Sequence, residues 1–97
     1  MDFGKALEAL KAGKKVARKG WNGKGMFIYL TRGSAHEFDD LKAETKQQLE
    51  NAACISGIDG LVHICPHIDM KAADGGVVIG WLASQTDMLA EDWEIVE

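Results

Sequence analysis

The sequence has few of the residues that crosslink, break or anchor a chain. Its 97 residues include two cysteines, Cys54 and Cys65, and a single proline. Two cysteines argue against a disulfide scaffold and suit a reducing compartment. The longest apolar run, residues 77–83, is far shorter than the roughly 20 residues of a membrane span, and the first residues lack the charged-then-apolar pattern of a secretory signal. The sequence therefore predicts one soluble, cytoplasmic domain over residues 1–97, with no membrane as a partner.

Basic residues are missing from the end of the chain. Residues 85–97 contain five acidic side chains and no lysine or arginine, whereas residues 1–24 contain seven basic side chains and two acidic ones. The two ends either lie side by side and neutralise each other or leave a basic site for a small anionic ligand, and these interpretations are compatible. The net charge of −4 argues against a DNA or RNA polymer as partner, because basic side chains supply most non-specific affinity for phosphates.

Hydrophobic periodicity predicts an α+β fold, a small antiparallel β-sheet with an N-terminal helix and one or two further short helices on one side. The first helix begins after Asp2, whose carboxylate can cap it, and ends at Gly13. Strands are expected at residues 14–19, 26–31, 61–71, 77–81 and 93–96.

Three further segments carry local signals. Residues 34–53 are polar and predict a helix or a mobile excursion. Pro66 interrupts the strand expected at 61–71, because proline cannot donate to a strand ladder. Residues 84–87 combine a hydroxyl cap with a carboxylate three residues later, a pattern typical of a helix start.

Three metal-capable side chains, His63, Cys65 and His67, alternate along the chain and face the same way in a regular strand. The outer pair is about 13 Å apart at Cα, too far for both to reach one tetrahedral ion easily. We therefore expect half-buried strand residues, and no metal or other cofactor. His67 and Asp69 are candidates for an acid–base couple.

A glycine-rich loop, residues 20–25, joins the first two expected strands and contains Trp21 and Lys24. Its spacing matches neither the P-loop nor the dinucleotide-binding pattern, so it is only a weak signal for phosphate binding. Trp21 is either a lid over the core or a stacking platform for a base, and the residues alone favour the lid. Trp81 and Trp93 are expected in the core.

Two stretches of the sequence resemble a known family. They are residues 2–30, DFGKALEALKAGKKVARKGWNGKGMFIYL, and residues 67–96, HIDMKAADGGVVIGWLASQTDMLAEDWEIV. Together they are similar to the Thoeris anti-defence two-like family of small phage and prophage proteins, above all in the segments RKGWNGKG and WLASQTDMLAEDW. The resemblance covers about two thirds of the chain, and residues 33–62 correspond to a variable insertion.

The resemblance implies a binding protein rather than an enzyme. Similar members are molecular sponges that sequester the cyclic ADP-ribose variant made by a bacterial TIR-domain protein, such as glyco-cyclic ADP-ribose, without cleaving it. Some also hold cyclic dinucleotides of a related defence. They assemble as homotetramers with ligand pockets between protomers, and they act in the host bacterial cytoplasm during phage infection.

The resemblance also suggests roles for residues of this chain. It implies that Trp21 stacks on a base or ribose, and that Arg18 faces a diphosphate. It further implies that Asn22 and Lys24 make polar contacts, and that the opposite wall of the pocket is lined by Ser84, Gln85, Thr86 and Asp87. Two alternatives stay open: a nucleotide-processing enzyme with His67 or Asp87 as its base, and a phage structural or adaptor protein with no small ligand.

Overall fold

The computed structural model describes residues 1–49 and 60–97. In this part of the chain, no helix is long and apolar enough to cross a membrane. Cys54 and the end of the segment expected at 34–53 lie outside the described residues.

The chain forms two compact units. The first joins Met1–Thr31 to His67–Glu97, and the second is Arg32–Pro66. The elements, in chain order, are α1 (Phe3–Lys11), β1 (Lys15–Arg18), β2 (Phe27–Thr31), β3 (Ser34–His36), a 3₁₀ turn (Phe38–Asp40), α2 (Ala43–Leu49), β4 (Val62–Ile64), β5 (His67–Lys71), β6 (Val77–Val78), α3 (Gln85–Leu89) and β7 (Trp93–Val96).

The first unit is built on a five-stranded antiparallel sheet of order β6-β5-β2-β1-β7. Ile28 pairs with Val16 on one side and Met70 on the other, so these three residues share the face that carries the core. The helix α1 contacts β1, β2, β7 and the short α3. The buried core residues are Ala6, Ala9, Leu10, Val16, Ile28 and Trp93. The predicted α+β class and its antiparallel sheet are confirmed.

The start and end of α1 follow from its sequence. Asp2 is the N-cap, and its Oδ1 accepts a hydrogen bond from the Lys5 amide at 2.9 Å, which satisfies one of the free N–H groups of the first turn. The helix ends before Gly13, which has a φ of +88°. The residues of α1 that are buried against the sheet, Ala6, Ala9 and Leu10, recur at helical spacing.

Four aromatic rings pack together at one end of this core. Trp93 is 2% exposed, and its ring lies 5.3 Å from that of Trp21, 5.5 Å from that of Phe3 and 6.2 Å from that of Trp81 between centroids. The Trp93 contacts to Trp21 and Trp81 are edge-on, an arrangement that aromatic pairs favour. The expected core position of Trp93 is confirmed, whereas Trp81 is partly buried and packs against the core.

Two strands differ from the sequence expectation. The break at Pro66 separates β4 from β5, and the two strands belong to different sheets. The returning strand, expected at 77–81, is only Val77–Val78. Gly80 has a φ of +86°, which only glycine adopts without strain, and it redirects the chain away from the ladder.

The second unit contains a small two-stranded sheet. Within it, β3 pairs with β4 in antiparallel register, with Ala35 opposite His63. The polar segment that predicted a helix or a mobile excursion begins with β3 and continues through the 3₁₀ turn to α2. The helix expectation is therefore confirmed for Ala43–Leu49, and the strand at Ser34–His36 was not expected.

Candidate functional site

One carboxylate, Asp87 at the start of α3, joins two distant segments of the first unit. Its Oδ1 accepts hydrogen bonds from Arg18 Nη1 at 2.9 Å and from Trp21 Nε1 at 3.2 Å. Arg18 lies at the end of β1 and Trp21 in the loop that follows it. The side chains of Arg18 and Asp87 are 15% and 13% exposed, so their ion pair is largely shielded from water.

A second carboxylate, Asp92, fixes Arg18 from the other side. Arg18 Nε donates to Asp92 Oδ1 at 2.8 Å, and the Gly20 amide donates to Asp92 Oδ2 at 2.8 Å. A Cβ atom at Gly20 would lie 2.8 Å from the same Oδ2, so a larger residue would displace the Asp92 carboxylate. The close packing against Asp92 therefore accounts for the glycine at the first position of the glycine-rich loop.

These contacts determine the ionisation of the cluster. The hydrogen bonds to Asp92 and Asp87 raise the pKa of Arg18, and the bond from Arg18 lowers the pKa of Asp92. Burial acts to raise the pKa of Asp87, but the bonds from Arg18, Trp21 and Ser84 outweigh it, and the net pKa is below the ordinary value. All three groups are therefore charged at neutral pH.

Asp87 also caps α3. The Ser84 hydroxyl accepts from the Asp87 amide at 3.0 Å, and Asp87 Oδ2 accepts from the Ser84 amide at 3.3 Å. This reciprocal pair is a capping box, and it confirms the helix start predicted at residues 84–87. The same side chain thus fixes both the start of α3 and the loop that carries Trp21.

Contacts join four of the eight side chains suggested as ligand contacts, namely Arg18, Trp21, Ser84 and Asp87. The other four, Asn22, Lys24, Gln85 and Thr86, are exposed on the same two segments. Arg18 is held between two carboxylates, so its charge is already compensated. Lys24 is therefore the exposed cation of the loop beside Trp21.

Trp21 is half-buried rather than free in solvent. Its ring packs edge-on against Trp93 and Trp81, and its Nε1 donates to Asp87. The packing agrees with the lid that the residues alone favoured. A half-buried indole keeps part of its surface exposed, so this packing leaves room for a base to stack on it. The stacking role implied by the resemblance stays a prediction.

A second polar cluster surrounds Asp69 on β5, which is 1% exposed. Its carboxylate accepts from the Thr31 hydroxyl, from the Gly80 amide at 2.9 Å and from His67 Nδ1 at 2.7 Å. An ionised carboxylate only accepts, so Nδ1 of His67 carries a proton. Burial acts to raise the pKa of Asp69, but the bonds from Thr31, Gly80 and His67 outweigh it and lower the pKa.

The structure therefore brings together the His67–Asp69 couple expected from the sequence. No local pattern indicates Thr31 as a partner, because it is 38 positions from Asp69 along the chain. The register explains the contact, since Thr31 pairs with His67 across β2 and β5. The Thr31 hydroxyl lies diagonally across the two strands from the Asp69 carboxylate, and this proximity is visible only once the pairing is known.

An open pocket of about 410 Å³ lies in the second unit. It is lined by Gly33, Ser34, Ala35, His63, Ile64, Cys65 and Pro66. Cys65 is a free, exposed thiol. Within residues 1–49 and 60–97, no group of three or more histidine, cysteine, aspartate or glutamate side chains could hold a metal ion.

Comparison with known proteins places the chain in a family. The model of the Thoeris anti-defense 2-like domain matches residues 1–96. The chain is also similar to the protein named Thoeris anti-defense 2 of Bacillus phage SP01, with 41% identity over 96 residues, 99% of this chain and 94% of that protein. A match over nearly the whole length, at this identity, confirms the resemblance seen in the sequence: the chain belongs to the Thoeris anti-defense 2-like family.

Proposed function

We propose that the protein is a phage anti-defence sponge. It binds a cyclic nucleotide immune signal, a cyclic ADP-ribose variant such as glyco-cyclic ADP-ribose, and holds it without cleaving it. The host's Thoeris defence is blocked because the free signal no longer reaches its effector. Cyclic dinucleotides are a second ligand class to test, and the working form is a homo-oligomer, a tetramer in the simplest case, in the host bacterial cytoplasm.

The observation that carries this proposal is the convergence on Asp87. The two segments that most resemble the family, around Trp21 and around residues 84–87, are remote in sequence and are joined by the hydrogen bonds of one carboxylate. The result is a fixed surface with one half-buried indole and several exposed polar side chains. A nucleotide offers a flat base and many hydrogen-bonding groups, which match those partners.

Within this proposal the cluster residues divide into two roles. Trp21 supplies a face for the base, and Lys24, Asn22 and the exposed side chains at the start of α3 supply polar contacts. Arg18 is a positioning residue, because its guanidinium is bonded to Asp87 and Asp92. The diphosphate is therefore expected to depend more on Lys24 than on Arg18.

The direct test of sequestration is recovery of the ligand. The protein is incubated with glyco-cyclic ADP-ribose, freed of unbound ligand by gel filtration and then heat-denatured. We expect the released nucleotide to have its original mass and retention time and its original ability to activate a Thoeris effector. Release of a linear or hydrolysed product would contradict the proposal, and so would the absence of any bound nucleotide.

Replacing Trp21 with alanine tests the stacking role. Stacking of one base on an aromatic side chain is worth about 1–3 kcal/mol by alanine substitution. Trp21→Ala is therefore expected to raise the Kd of the ligand by roughly 5- to 150-fold, since each 1.4 kcal/mol is a factor of ten. Titration calorimetry measures this on protein shown to be folded by circular dichroism.

Two variants control the Trp21 experiment. Trp21→Phe keeps a ring but removes the Nε1 donor to Asp87, so it should bind within a few-fold of the wild type if stacking dominates. Lys24→Ala should have a smaller effect that fades at high salt, because an exposed charge is screened over about 8–10 Å. Unchanged affinity in folded Trp21→Ala would remove the stacking role and leave Trp21 as a lid.

A second candidate function rests on the Asp69 cluster. A histidine whose Nδ1 is held by a buried carboxylate is the arrangement of a general base. A nucleotide-processing enzyme would use His67 in this way, whereas Asp87 is a poor base because its pKa is lowered by Arg18 and its other partners. Product formation that disappears in His67→Gln would favour this candidate over the sponge.

A further inference from the structure

The strand β6 forms an exposed, apolar edge of the five-stranded sheet. It pairs with β5 and is the last strand in the order on that side. Val77 lies opposite Lys71 and Val78 opposite Met70, so the two valines point to opposite faces. Val77 is nevertheless 52% exposed and Val78 51% exposed. On each face of the sheet, one valine side chain of this edge is therefore exposed to the same degree.

The equal exposure of the two valines indicates what could cover them. A partner packed on one face of the sheet would bury one valine and leave the other exposed. A strand added beside β6 would cover both, because each of its residues flanks β6 on one face or the other. The exposure pattern therefore fits pairing at the edge rather than packing on a face.

The edge is also held rigidly from its inner side. The turn before β6 is closed by a hydrogen bond from the Ala72 amide to the Gly76 carbonyl at 2.7 Å. After β6, the Gly80 amide donates to Asp69, and the Trp81 amide donates to the Ile68 carbonyl at 2.6 Å. A fixed edge loses little conformational entropy when another strand pairs with it.

Charge distinguishes the two edges of the sheet. Residues 75–86, which contain β6, include no charged side chain. The opposite edge, β7, contains Glu94 and is followed by Glu97. Natural proteins protect free edges with charges or by keeping the edge strand short, and an uncharged edge can pair with another strand. The strand β6 is short, but it has no charge that would oppose such pairing.

We infer that β6 pairs in antiparallel fashion with the β6 of a second copy of this chain, around a two-fold axis perpendicular to the sheet. This symmetry keeps each face on its own side and places Val78 opposite the second copy's Val78. The uncharged edge is then complementary to itself, and two β-branched side chains form a cross-strand pair. The inference rests on the proposed homo-oligomeric form but not on any ligand.

Charge complementation at Val78 tests this pairing. Val78→Lys and Val78→Glu each place two like charges opposite each other in the assembly, and each should lower the mean mass of the particle, measured by light scattering over a dilution series from about 50 µM, toward half of the wild-type value at a higher protein concentration than in the wild type. The dissociation constant is expected to rise at least about tenfold, or 1.4 kcal/mol. An equimolar mixture of the two variants should restore the wild-type mass, because Lys and Glu then face each other.

Three results would overturn the inference. One is a 10.6 kDa wild-type monomer at this concentration, and another is variants that dissociate but do not complement each other. The third is an unchanged mass for both single variants. Ile95→Lys, on the opposite edge and 42% exposed, is the matched control and should keep the wild-type mass. Thermal unfolding shows that each variant is folded, and nucleotide titration of the same samples reports separately on ligand capture.

Discussion

Replacing Asp69 with alanine is expected to lower the free energy of unfolding by about 3–5 kcal/mol. The carboxylate is 1% exposed and accepts hydrogen bonds from Thr31, Gly80 and His67. Removing it leaves these donors without their acceptor, and each unsatisfied buried donor costs about 1–3 kcal/mol. Since small domains are stable by about 5–15 kcal/mol in total, much of this chain's stability depends on one side chain.

Urea denaturation followed by tryptophan fluorescence measures this loss. Asp74→Ala is the matched control, because Asp74 is an exposed carboxylate whose Oδ1 accepts one turn bond from the Gly76 amide. That variant should cost about 1 kcal/mol or less. Thr31→Val should give an intermediate loss, since it removes one of the three donors. Equal stabilities of the Asp69→Ala and Asp74→Ala variants would contradict the role of the buried carboxylate.

The effect of Asp69 should also depend on pH. Its pKa in the folded protein is below the ordinary value of about 3.9. The stabilisation is therefore present above the ordinary pKa and is lost as the pH falls through the folded value. The difference in stability between the wild type and Asp69→Asn should be large at neutral pH and shrink below about pH 4.

Replacing Asp87 with alanine is expected to lower the free energy of unfolding by about 2–4 kcal/mol and to abolish tight ligand binding. The change removes the bonds from Arg18 and Trp21 together with half of the capping box. The loop that carries Trp21 and the start of α3 then lose the side chain that is hydrogen-bonded to both. A binding surface that needs both segments loses its geometry, so the loss of affinity should exceed that of Lys24→Ala.

Ser84→Ala separates the two roles of Asp87. It removes the hydroxyl that caps the Asp87 amide but leaves the bonds from Arg18 and Trp21 in place. We expect it to cost about 1 kcal/mol of stability and to change affinity little. If Ser84→Ala weakens binding as strongly as Asp87→Ala, the cap rather than the junction of the two segments supports the site.

Local sequence signals predicted the parts of the fold that local chemistry controls. The cap at Asp2 and the hydroxyl–carboxylate pair at Ser84 and Asp87 act within one helical turn, so the sequence shows both partners. The two halves of the strand expected at 61–71 belong to different sheets, however. Sequence shows that Pro66 interrupts a ladder, but which strand each half joins depends on pairings across the whole chain.

The resemblance suggests residues for the candidate site, but the contacts among them could not be predicted from the sequence. The resemblance indicates the side chains around Trp21 and at residues 84–87, but Asp92 is not among them. The hydrogen bonds of Arg18 to Asp92 and Asp87, and that of Trp21 to Asp87, join residues more than 60 positions apart in the sequence. Such contacts follow from the pairing of β1 with β7, which places Arg18 opposite Trp93, and no local pattern encodes it.

The pairing of Thr31 with His67 has a consequence for how this chain can diverge. These residues flank the second unit and lie opposite each other in the sheet, so their Cα atoms are about 5 Å apart. A segment that leaves and re-enters at one point can change length without moving the sheet, and each doubling of a flexible loop costs only about 0.6 kcal/mol. We therefore expect insertions or deletions within residues 32–66 to leave the sheet and the Asp87 junction in place.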